Sequence, residues 1–320
     1  MKVASALGAV FALLAALPAE AFAQPYPSKP IRVVVAFAAG GFADTIARLV
    51  GHRLAERVGQ PVVVENRGGA GGNIAARAVA AAPADGYTLL VHTAAIAINP
   101  SLYRSPGFDL AADLVPVANT GSTPGVFVVH ASNPAHSLQE LLRSGRRITF
   151  SSAGVGTSSH LAGEYFFKVL ARAEAEHVPF QGGAPALTAV LSGTVEVLST
   201  SMPPVVPHLR KGSLKVLSVS SLARVAALPD VPTVGEAGFA DFEERSWVGF
   251  FAPARTPGAV VERLNAEIRA VAGLPEVLER FSALGMDPHP MSSPEFAAYV
   301  RREVAKWATV VRATGIGPVE

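Results

Sequence analysis

The chain has 320 residues, of which 50% are apolar, 16% are charged and none is cysteine. This composition is too hydrophobic for a disordered chain and supplies a large core, and the length suggests about two domains. The formal net charge of +2, with 27 Lys and Arg residues scattered along the chain, argues against nucleic-acid binding, and the absence of cysteine excludes disulfides, a thiolate nucleophile, Cys-ligated zinc and a lipid-anchoring cysteine.

The first predicted element is a secretory signal. Met1 and Lys2 precede an uncharged apolar stretch over residues 3–19, which is followed by Ala21-Phe-Ala23. A basic start, an apolar middle and an Ala-x-Ala end are typical of a cleaved signal peptide, and the stretch is short of the roughly 20 residues that a membrane span needs. We therefore expect cleavage after Ala23 and an exported protein, an uncleaved membrane anchor being the alternative.

The next part of the chain is predicted to alternate strands and helices. Strands are expected over residues 31–37, 62–64 and 87–91, because these are β-branched or apolar runs bounded by Gly and Pro. One helix is predicted to begin near Ala43, and an Ala-rich helix is predicted to begin at Asn73 as its N-cap. This βαβαβ order predicts a parallel sheet with helices on both faces.

A second series of the same kind is predicted from residue 126 onward. Its strands are expected over residues 126–129, 148–151, 178–180, 195–198, 214–219 and 247–251, and its helices over 158–171 and 184–191. Beyond Pro257 only helices are predicted, over 259–271, 275–284 and 294–314, the last with Ser293 as N-cap. A helical tail has no sheet of its own, so we expect it to pack on an existing domain. The predicted division is a signal at 1–23, domain I at 24–123 plus 246–320, and domain II at 124–245.

Motifs for catalysis, nucleotides and metals are missing from the sequence. It contains no Gly-x-Ser-x-Gly elbow, P-loop, zincin helix or EF-hand loop. His160 and Glu164 lie four residues apart on a predicted helix, as two metal ligands do, but a third ligand is not evident. Gly154-x-Gly156-x-x-Ser159 lacks the third glycine of a dinucleotide fingerprint, and the following strand segment, His177-Val-Pro-Phe180, carries no acid. We therefore expect no metal, no cofactor and no catalysis.

A glycine-rich turn between a strand and a helix start recurs in both halves. It occurs at residues 38–41, at 153–156 and at 181–183. Glycines let the backbone approach a ligand, and the free N–H groups of a helix start attract anions. Such turns facing one another across a cleft would suit a carboxylate without Arg or Lys, although they are also ordinary connections in α/β proteins. Asp44 and Arg48 have the spacing of an ion pair on the first of these helices.

Several segments together resemble the Bug-type extracytoplasmic solute receptors of tripartite tricarboxylate transporters. Each segment alone is weak evidence for the family, but their order over this length is specific. The resemblance covers essentially the whole chain after the signal. The segments are Tyr26-Pro-x-Lys-Pro-Ile-Arg32, Gly40-Gly-x-x-Asp44, Val64-Glu-Asn-Arg67, Gly69-Ala-Gly-Gly-Asn-Ile74, Asp85-Gly-Tyr-Thr-Leu-Leu90, Ile98-Asn-Pro-Ser-Leu-Tyr103, Gly156-Thr-x-x-His-Leu161, Val178-Pro-Phe-Gln-Gly-Gly-Ala-Pro-Ala-Leu187, Leu228-Pro-Asp-Val-Pro-Thr-Val234 and Leu264-Asn-Ala-Glu-Ile268.

The resemblance implies an α/β, two-domain type II periplasmic-binding-protein-like fold, in which each domain is a mainly parallel sheet flanked by helices and a ligand cleft lies between them. It implies a periplasmic receptor that delivers its ligand to the membrane permease subunits of a tripartite tricarboxylate transporter. We expect a monomer, and a sensor kinase is the alternative partner. The ligand-binding residues predicted with it are Phe37, Ala39, Gly40, Gly41, Asp44, Thr93, Gly156, Thr157, Ser158, Gly183 and Ala184.

The sequence departs from the family pattern at three places. Ala39 stands where the family usually has Pro, residues 196–201 lack the usual Asp residues, and residues 92–95 are altered. The main hypothesis is a receptor for a small carboxylate, namely a di- or tricarboxylate, an acidic amino acid or an aromatic acid. The alternatives are a secreted hydrolase or isomerase on a similar scaffold, with His160 or Asp44 in its active site, and a ligand sensor for a membrane kinase.

Overall fold

A computed structural model describes residues 26–240 and 242–320 of the chain. The predicted signal peptide and its cleavage site lie outside these residues. Within the two described ranges, no helix has both the length and the apolar character needed to cross a membrane.

The first half of the fold is a parallel three-stranded unit with its connecting helices. β1 (Ile31–Val35) lies between β2 (Val62–Asn66) and β3 (Thr88–Thr93) and is parallel to both. The connections are α1 (Phe42–Val58) and α2 (Asn73–Ala80). One residue of β1 is exposed and all of β3 is buried, as expected for strands covered by helices on both faces. The predicted βαβαβ order is confirmed.

Two long antiparallel strands join the halves. β4 (Leu114–His130) pairs with β9 (Arg245–Pro253), which in turn pairs with β3. The far end of β4 pairs with β7 (Val197–Ser201) and β8 (Leu214–Val219) instead. The prediction of a strand beginning only at residue 126 was too short, because β4 runs through both halves with two register shifts on the way.

The second half repeats the arrangement around a central strand. β5 (Ile148–Ser152) is parallel to β6 (Ala175–Pro179) on one side and to β7 on the other. Its helices are α5 (Leu138–Arg143), α6 (Ser158–Glu164), α7 (Gly183–Leu191) and α8 (Val206–Arg210), and α6 continues as a π-helical turn over Tyr165–Leu170. Two hydrophobic core clusters lie in this half, one rich in phenylalanine and one almost entirely aliphatic. A third and larger cluster fills the first half.

The remaining elements complete the first half. The tail helices α9 (Gly258–Ala272), α10 (Pro275–Ala283) and α11 (Ser293–Thr314) pack there, as predicted. The short helices α3 (Ala95–Leu102) and α4 (Leu110–Asp113) were not predicted. The expectation that the tail holds only helices was wrong, because the two-residue strand β10 (Asp287–Pro288) pairs with β4.

Two helix starts differ from the prediction by one residue. Ser292, rather than Ser293, caps α11 and forms a full capping box. The Ser293 hydroxyl instead donates to the Pro116 carbonyl at 2.6 Å. Asn73 is the first helical residue of α2 and not its cap, since its side-chain oxygen accepts from Asn99 Nδ2 at 2.6 Å. In both cases a tertiary hydrogen bond engages the side chain that could have capped the helix.

Candidate functional site

A narrow cavity lies where the loops of the two halves meet. It has about 40 Å³ of room for the centres of water molecules, enough for a few waters at roughly 10–15 Å³ each. Its lining consists of small, hydroxyl-bearing and apolar side chains, and none of the described residues in the lining is charged. They are Phe37, Gly41, Phe42, Ala43, Thr93, Ala153, Thr157, Ser158, Ser159, Gly183, Thr200, Ser201 and Ser246.

The first wall of the cavity is the loop between β1 and α1. Gly41 caps α1 with extended backbone and no side-chain bond, so the first N–H groups of the helix are left open. Within the described part of the chain, the backbone N–H groups of Phe42 and Ala43 have no acceptor. Unpaired N–H groups and the helix dipole together favour an anion at this position.

Asp44 holds this loop in place from behind the cavity. Its carboxylate accepts from Gly40 N at 2.8 Å, from Arg48 Nε at 3.1 Å and from Asn66 Nδ2 at 2.9 Å. Burial alone would raise the pKa of Asp44, but the hydrogen bonds from Arg48, Gly40 and Asn66 outweigh it and lower that pKa. The ionised carboxylate therefore fixes the conformation of Gly40, which has a φ of +78°.

The second wall is the start of α6, where Thr157 is the N-cap. The Thr157 hydroxyl accepts from His160 N at 3.2 Å and donates to Gly154 O at 2.7 Å. The cap thereby satisfies the third N–H group of the helix and leaves those of Ser158 and Ser159 without acceptors among the residues described. The side chains of Ser158 and Ser159 are buried at the cavity.

The third wall is the start of α7 together with the ends of three strands. Gly183 opens α7, and no side chain caps it. Hydroxyl groups come from Thr93 at the end of β3, from Thr200 in β7 and from Ser246 in β9. Three helix starts therefore converge on one cavity whose other polar groups are neutral hydroxyls.

The two halves touch around the cavity, so the cleft is closed. Ala38 N donates to the Gln181 carbonyl at 3.3 Å, and the Tyr103 hydroxyl donates to the Val155 carbonyl at 3.1 Å. A second cavity with about 270 Å³ of room for water centres adjoins the first and shares Phe37 and Ala153 with it. The loop before α2, Tyr103, Val155 and Phe180 line it.

The structure brings together six of the eleven residues predicted to bind a ligand. Phe37, Gly41, Thr93, Thr157, Ser158 and Gly183 line the first cavity, whereas Ala39, Gly40, Asp44, Gly156 and Ala184 lie outside its lining. Ala39 and Gly40 are exposed, and Ala184 faces Gly40 across the cleft. Gly156 packs against Asn99 and Tyr103 of the first half, where its φ of +83° and the lack of space for a Cβ both favour glycine.

Seven lining residues were not predicted as ligand contacts. Phe42, Ala43 and Ser159 directly adjoin predicted residues at the helix starts. Ala153 is the first residue of the predicted glycine-rich turn at 153–156. Thr200 and Ser201 follow a predicted strand, and their hydroxyls at its carboxyl end were an available signal. No sequence pattern predicts Ser246 as a lining residue. It lies at the start of β9, and that strand is placed beside the cavity by its long-range pairing with β4.

The structure supplies a third potential metal ligand that the sequence did not show. Ligand atoms of His160, Glu164 and His177 lie within 4.8 Å of one another. However, His160 Nδ1 accepts from Gly156 N at 3.4 Å, His177 Nε2 lies 2.7 Å from Ser152 Oγ, and Glu164 pairs with Lys168 at 2.6 Å. Burial lowers the pKa of His160 to about 4 and that of His177 to about 3, so both rings are neutral. Because each side chain already has a partner, the absence of a metal stays the prediction.

Comparison with known proteins places the chain among solute receptors. The profile of the "Tripartite tricarboxylate transporter family receptor" matches residues 46–316. A curated relative, the UPF0065 protein in the tcbD-tcbE intergenic region of Pseudomonas sp. strain P51, is 37% identical over 89% of this chain and 86% of its own length. The periplasmic binding protein BugD superimposes with a TM-score of 0.88 at 32% identity, over 92% of this chain and all of BugD. Rpa4515 of R. palustris with adipate superimposes with a TM-score of 0.89 at 34% identity and the same coverage.

Proposed function

The chain belongs to the tripartite tricarboxylate transporter receptor family, and on that basis we propose that it is an exported, monomeric receptor that captures a small carboxylate between two domains. Removal of residues 1–23 would release it into the periplasm, where it delivers the ligand to membrane permease subunits. The proposed domains are residues 24–123 with 246–320, and residues 124–245. The hydrolase and isomerase alternatives are set aside, because the family and the matched structures are binding proteins and not enzymes.

The observation that carries this proposal is the convergence of three helix starts on one uncharged cavity. Each start contributes roughly 0.3–1 kcal/mol to a nearby anion, and up to about 2 kcal/mol when partly buried. The hydroxyls of Thr93, Ser158 and Thr200 can each donate a further hydrogen bond, and a hydrogen bond to a charged group is worth about 1.5–3 kcal/mol. A carboxylate therefore gains enough stabilisation here without Arg or Lys. The structure of Rpa4515 with adipate supports a carboxylate as the class of ligand.

The chemistry of the lining also limits the rest of the ligand. No carboxylate belongs to the described lining of either cavity, so an ammonium group has no counter-charge and would meet the positive ends of helices. We therefore expect malate to bind better than aspartate, which differs from it by an ammonium in place of a hydroxyl. The small first cavity holds the carboxylate, and the remainder of the molecule extends past Phe37 into the second cavity.

Binding is coupled to closure of the cleft. Gly41 and Gly183 come from different halves, yet a Cβ on Gly41 would lie 3.6 Å from Gly183 N. Only the closed form brings their helix starts together, so a carboxylate binds the closed form more tightly and shifts the population toward it.

Thermal denaturation with a panel of acids tests the proposal. The panel is adipate, malate, citrate, benzoate and aspartate, each added to purified mature protein. A ligand at about 100 times its Kd adds roughly 2.7 kcal/mol to the free energy of unfolding, which raises Tm by several degrees. Thr200→Val removes a lining hydroxyl and is expected to reduce the shift. Ser192→Ala, at the far exposed end of α7, is the matched control. The absence of a shift with every acid in the panel would contradict the proposed function.

A further inference from the structure

Glu244 is a buried carboxyl at the point where the chain returns from the second half to the first. It directly precedes β9, and only 4% of the residue is exposed. Its backbone is fixed on both sides, since Glu244 N donates to Ser220 O at 3.0 Å and Gly125 N donates to Glu244 O at 3.3 Å. The carboxyl packs directly on Gly125 of β4, where a Cβ would collide with it. The side chain is therefore held in one place at the crossover between the halves.

The Glu244 carboxyl lies next to the carboxylate cavity without lining it. The Ser158 hydroxyl, which lines the cavity, faces the carboxyl. Ser246, two residues further along the chain and inside β9, also lines the cavity. Ser158 thus stands between a buried carboxyl and the space in which a carboxylate is proposed to bind.

The polar surroundings of Glu244 do not satisfy an ionised carboxylate. Among the described residues, Oε1 has no hydrogen-bond partner of good geometry, and Oε2 has only the Ser220 hydroxyl at 3.4 Å. The charged groups that act on it are Lys306 and Glu303 of α11, with opposite effects. The other elements packed against it present glycine and serine, at Gly125 of β4, at Ser220 after β8 and at Ser158 of α6.

Burial of this carboxyl raises its pKa to about 7, although the facing Ser158 and Ser220 hydroxyls and Lys306 lower it in part. A protonated carboxyl can donate a hydrogen bond, whereas an ionised one can only accept. A bound carboxylate just beyond Ser158 favours the neutral form further, because two like charges close together in a buried site cannot both ionise easily.

We infer that Glu244 is a positioning residue of the carboxylate site, which keeps its proton in the liganded receptor, donates to Ser158 and so orients the Ser158 hydroxyl toward the ligand. Proton uptake on binding then rises from about half a proton per carboxylate at pH 7 toward one proton at alkaline pH. The inference rests on the proposed function for its ligand, but the protonation of Glu244 is measurable without one.

The first experiment needs no ligand. The side-chain carbon signals of labelled glutamates are followed by NMR from pH 4 to pH 9 in wild type and in Glu244→Gln. The signal absent from the variant is expected to titrate near neutrality. A Glu244 signal that titrates in the range of ordinary glutamates would refute the inference whether or not any acid binds.

The second experiment measures proton uptake with malate by calorimetry, in buffers of different ionisation enthalpy. In wild type the affinity for malate is expected to fall by about tenfold between pH 7 and pH 8.5, with uptake approaching one proton per malate. In Glu244→Gln, whose neutral amide can still donate, the affinity is expected to stay flat over this range. Glu243→Gln is the matched control, because Glu243 is the exposed neighbouring carboxyl.

The outcomes of the two experiments separate the inference from the proposed function. If the NMR signal titrates near neutrality and no acid in the panel binds, the proposed function fails while the buried proton of Glu244 stands. If Glu244→Gln abolishes aspartate binding and leaves malate binding unchanged at every pH, Glu244 is instead the counter-ion of an ammonium group, and the inference is wrong.

Discussion

The replacement Glu244→Gln is expected to change how the stability of the receptor depends on pH. The folded-state pKa of Glu244 is about 7, raised from the ordinary value of 4.5 by burial. A carboxyl whose pKa is higher in the folded state contributes its full stability below the unfolded-state pKa. That contribution is lost as pH rises through the folded-state pKa. Between pH 5 and pH 8 this carboxyl therefore removes about 2.5 kcal/mol from the free energy of unfolding, at 1.36 kcal/mol per pKa unit. Glutamine does not titrate, so Glu244→Gln keeps the free energy of unfolding that wild type loses.

Urea denaturation of both proteins at pH 5 and pH 8 measures this effect. Relative to wild type, Glu244→Gln is expected to gain roughly 2–3 kcal/mol on going from pH 5 to pH 8. Using the difference between the two proteins cancels the titration of all other groups. Glu243→Gln, with its exposed side chain, is expected to follow wild type at both pH values. A constant difference between Glu244→Gln and wild type would refute the reasoning, because Glu244 would then titrate alike in the folded and unfolded chains.

Three further predictions concern the loops and the buried histidines. Asp44→Ala leaves Gly40 N without its acceptor and is expected to cost about 1–3 kcal/mol of stability by urea denaturation, whereas an unchanged midpoint would contradict the role of Asp44. Gly41→Ala adds a methyl group to the lining of the small first cavity, at an ordinary contact distance of 3.6 Å from Gly183 N. The loss of space is expected to weaken malate binding by calorimetry with little change in Tm, and equal affinity would argue against this cavity as the carboxylate site. His177 has a folded-state pKa of about 3, below its unfolded-state value, so the stability it contributes is lost as pH falls below 6.5. His177→Gln is therefore expected to make the free energy of unfolding fall less steeply below pH 6.5. An unchanged pH dependence in this range would count against a buried neutral ring.

Local signals were sufficient for most of the long strands and helices but not for their ends, nor for the short elements α3, α4 and β10. The apolar run of β1 and the glycine turn after it predict both the strand and the helix that follows, because their side chains are buried locally and on both faces. β4 was predicted only from residue 126, since its first part, with Pro116 and Gly121 at register shifts, lacks a strand pattern. That part is a strand because β9, more than a hundred residues later, supplies its hydrogen bonds. The residue pattern of a single sequence does not reveal a partner strand so far along the chain.

The site was predictable to the extent that backbone geometry determines it. Glycine turns at helix starts identify Gly41, Thr157 and Gly183, because the turn chemistry is local. Asp44 stays a predicted ligand contact, and only the fold shows that its carboxylate already accepts hydrogen bonds from Gly40, Arg48 and Asn66. The positions of Glu244 and Ser246 beside the cavity could not be predicted, for a different reason. Their place beside the cavity depends on how the return strand pairs, and neither belongs to a motif.

The central claim is that backbone N–H groups and hydroxyls at converging helix starts hold the ligand carboxylate. It is tested most directly by an NMR titration of backbone amides with malate, the acid that the uncharged lining favours over aspartate. The amide signals of Phe42, Ala43, Ser158, Ser159 and Gly183 are predicted to show the largest shifts and to saturate together. Saturable binding whose shifts lie elsewhere, with these five amides unmoved, would contradict the claim.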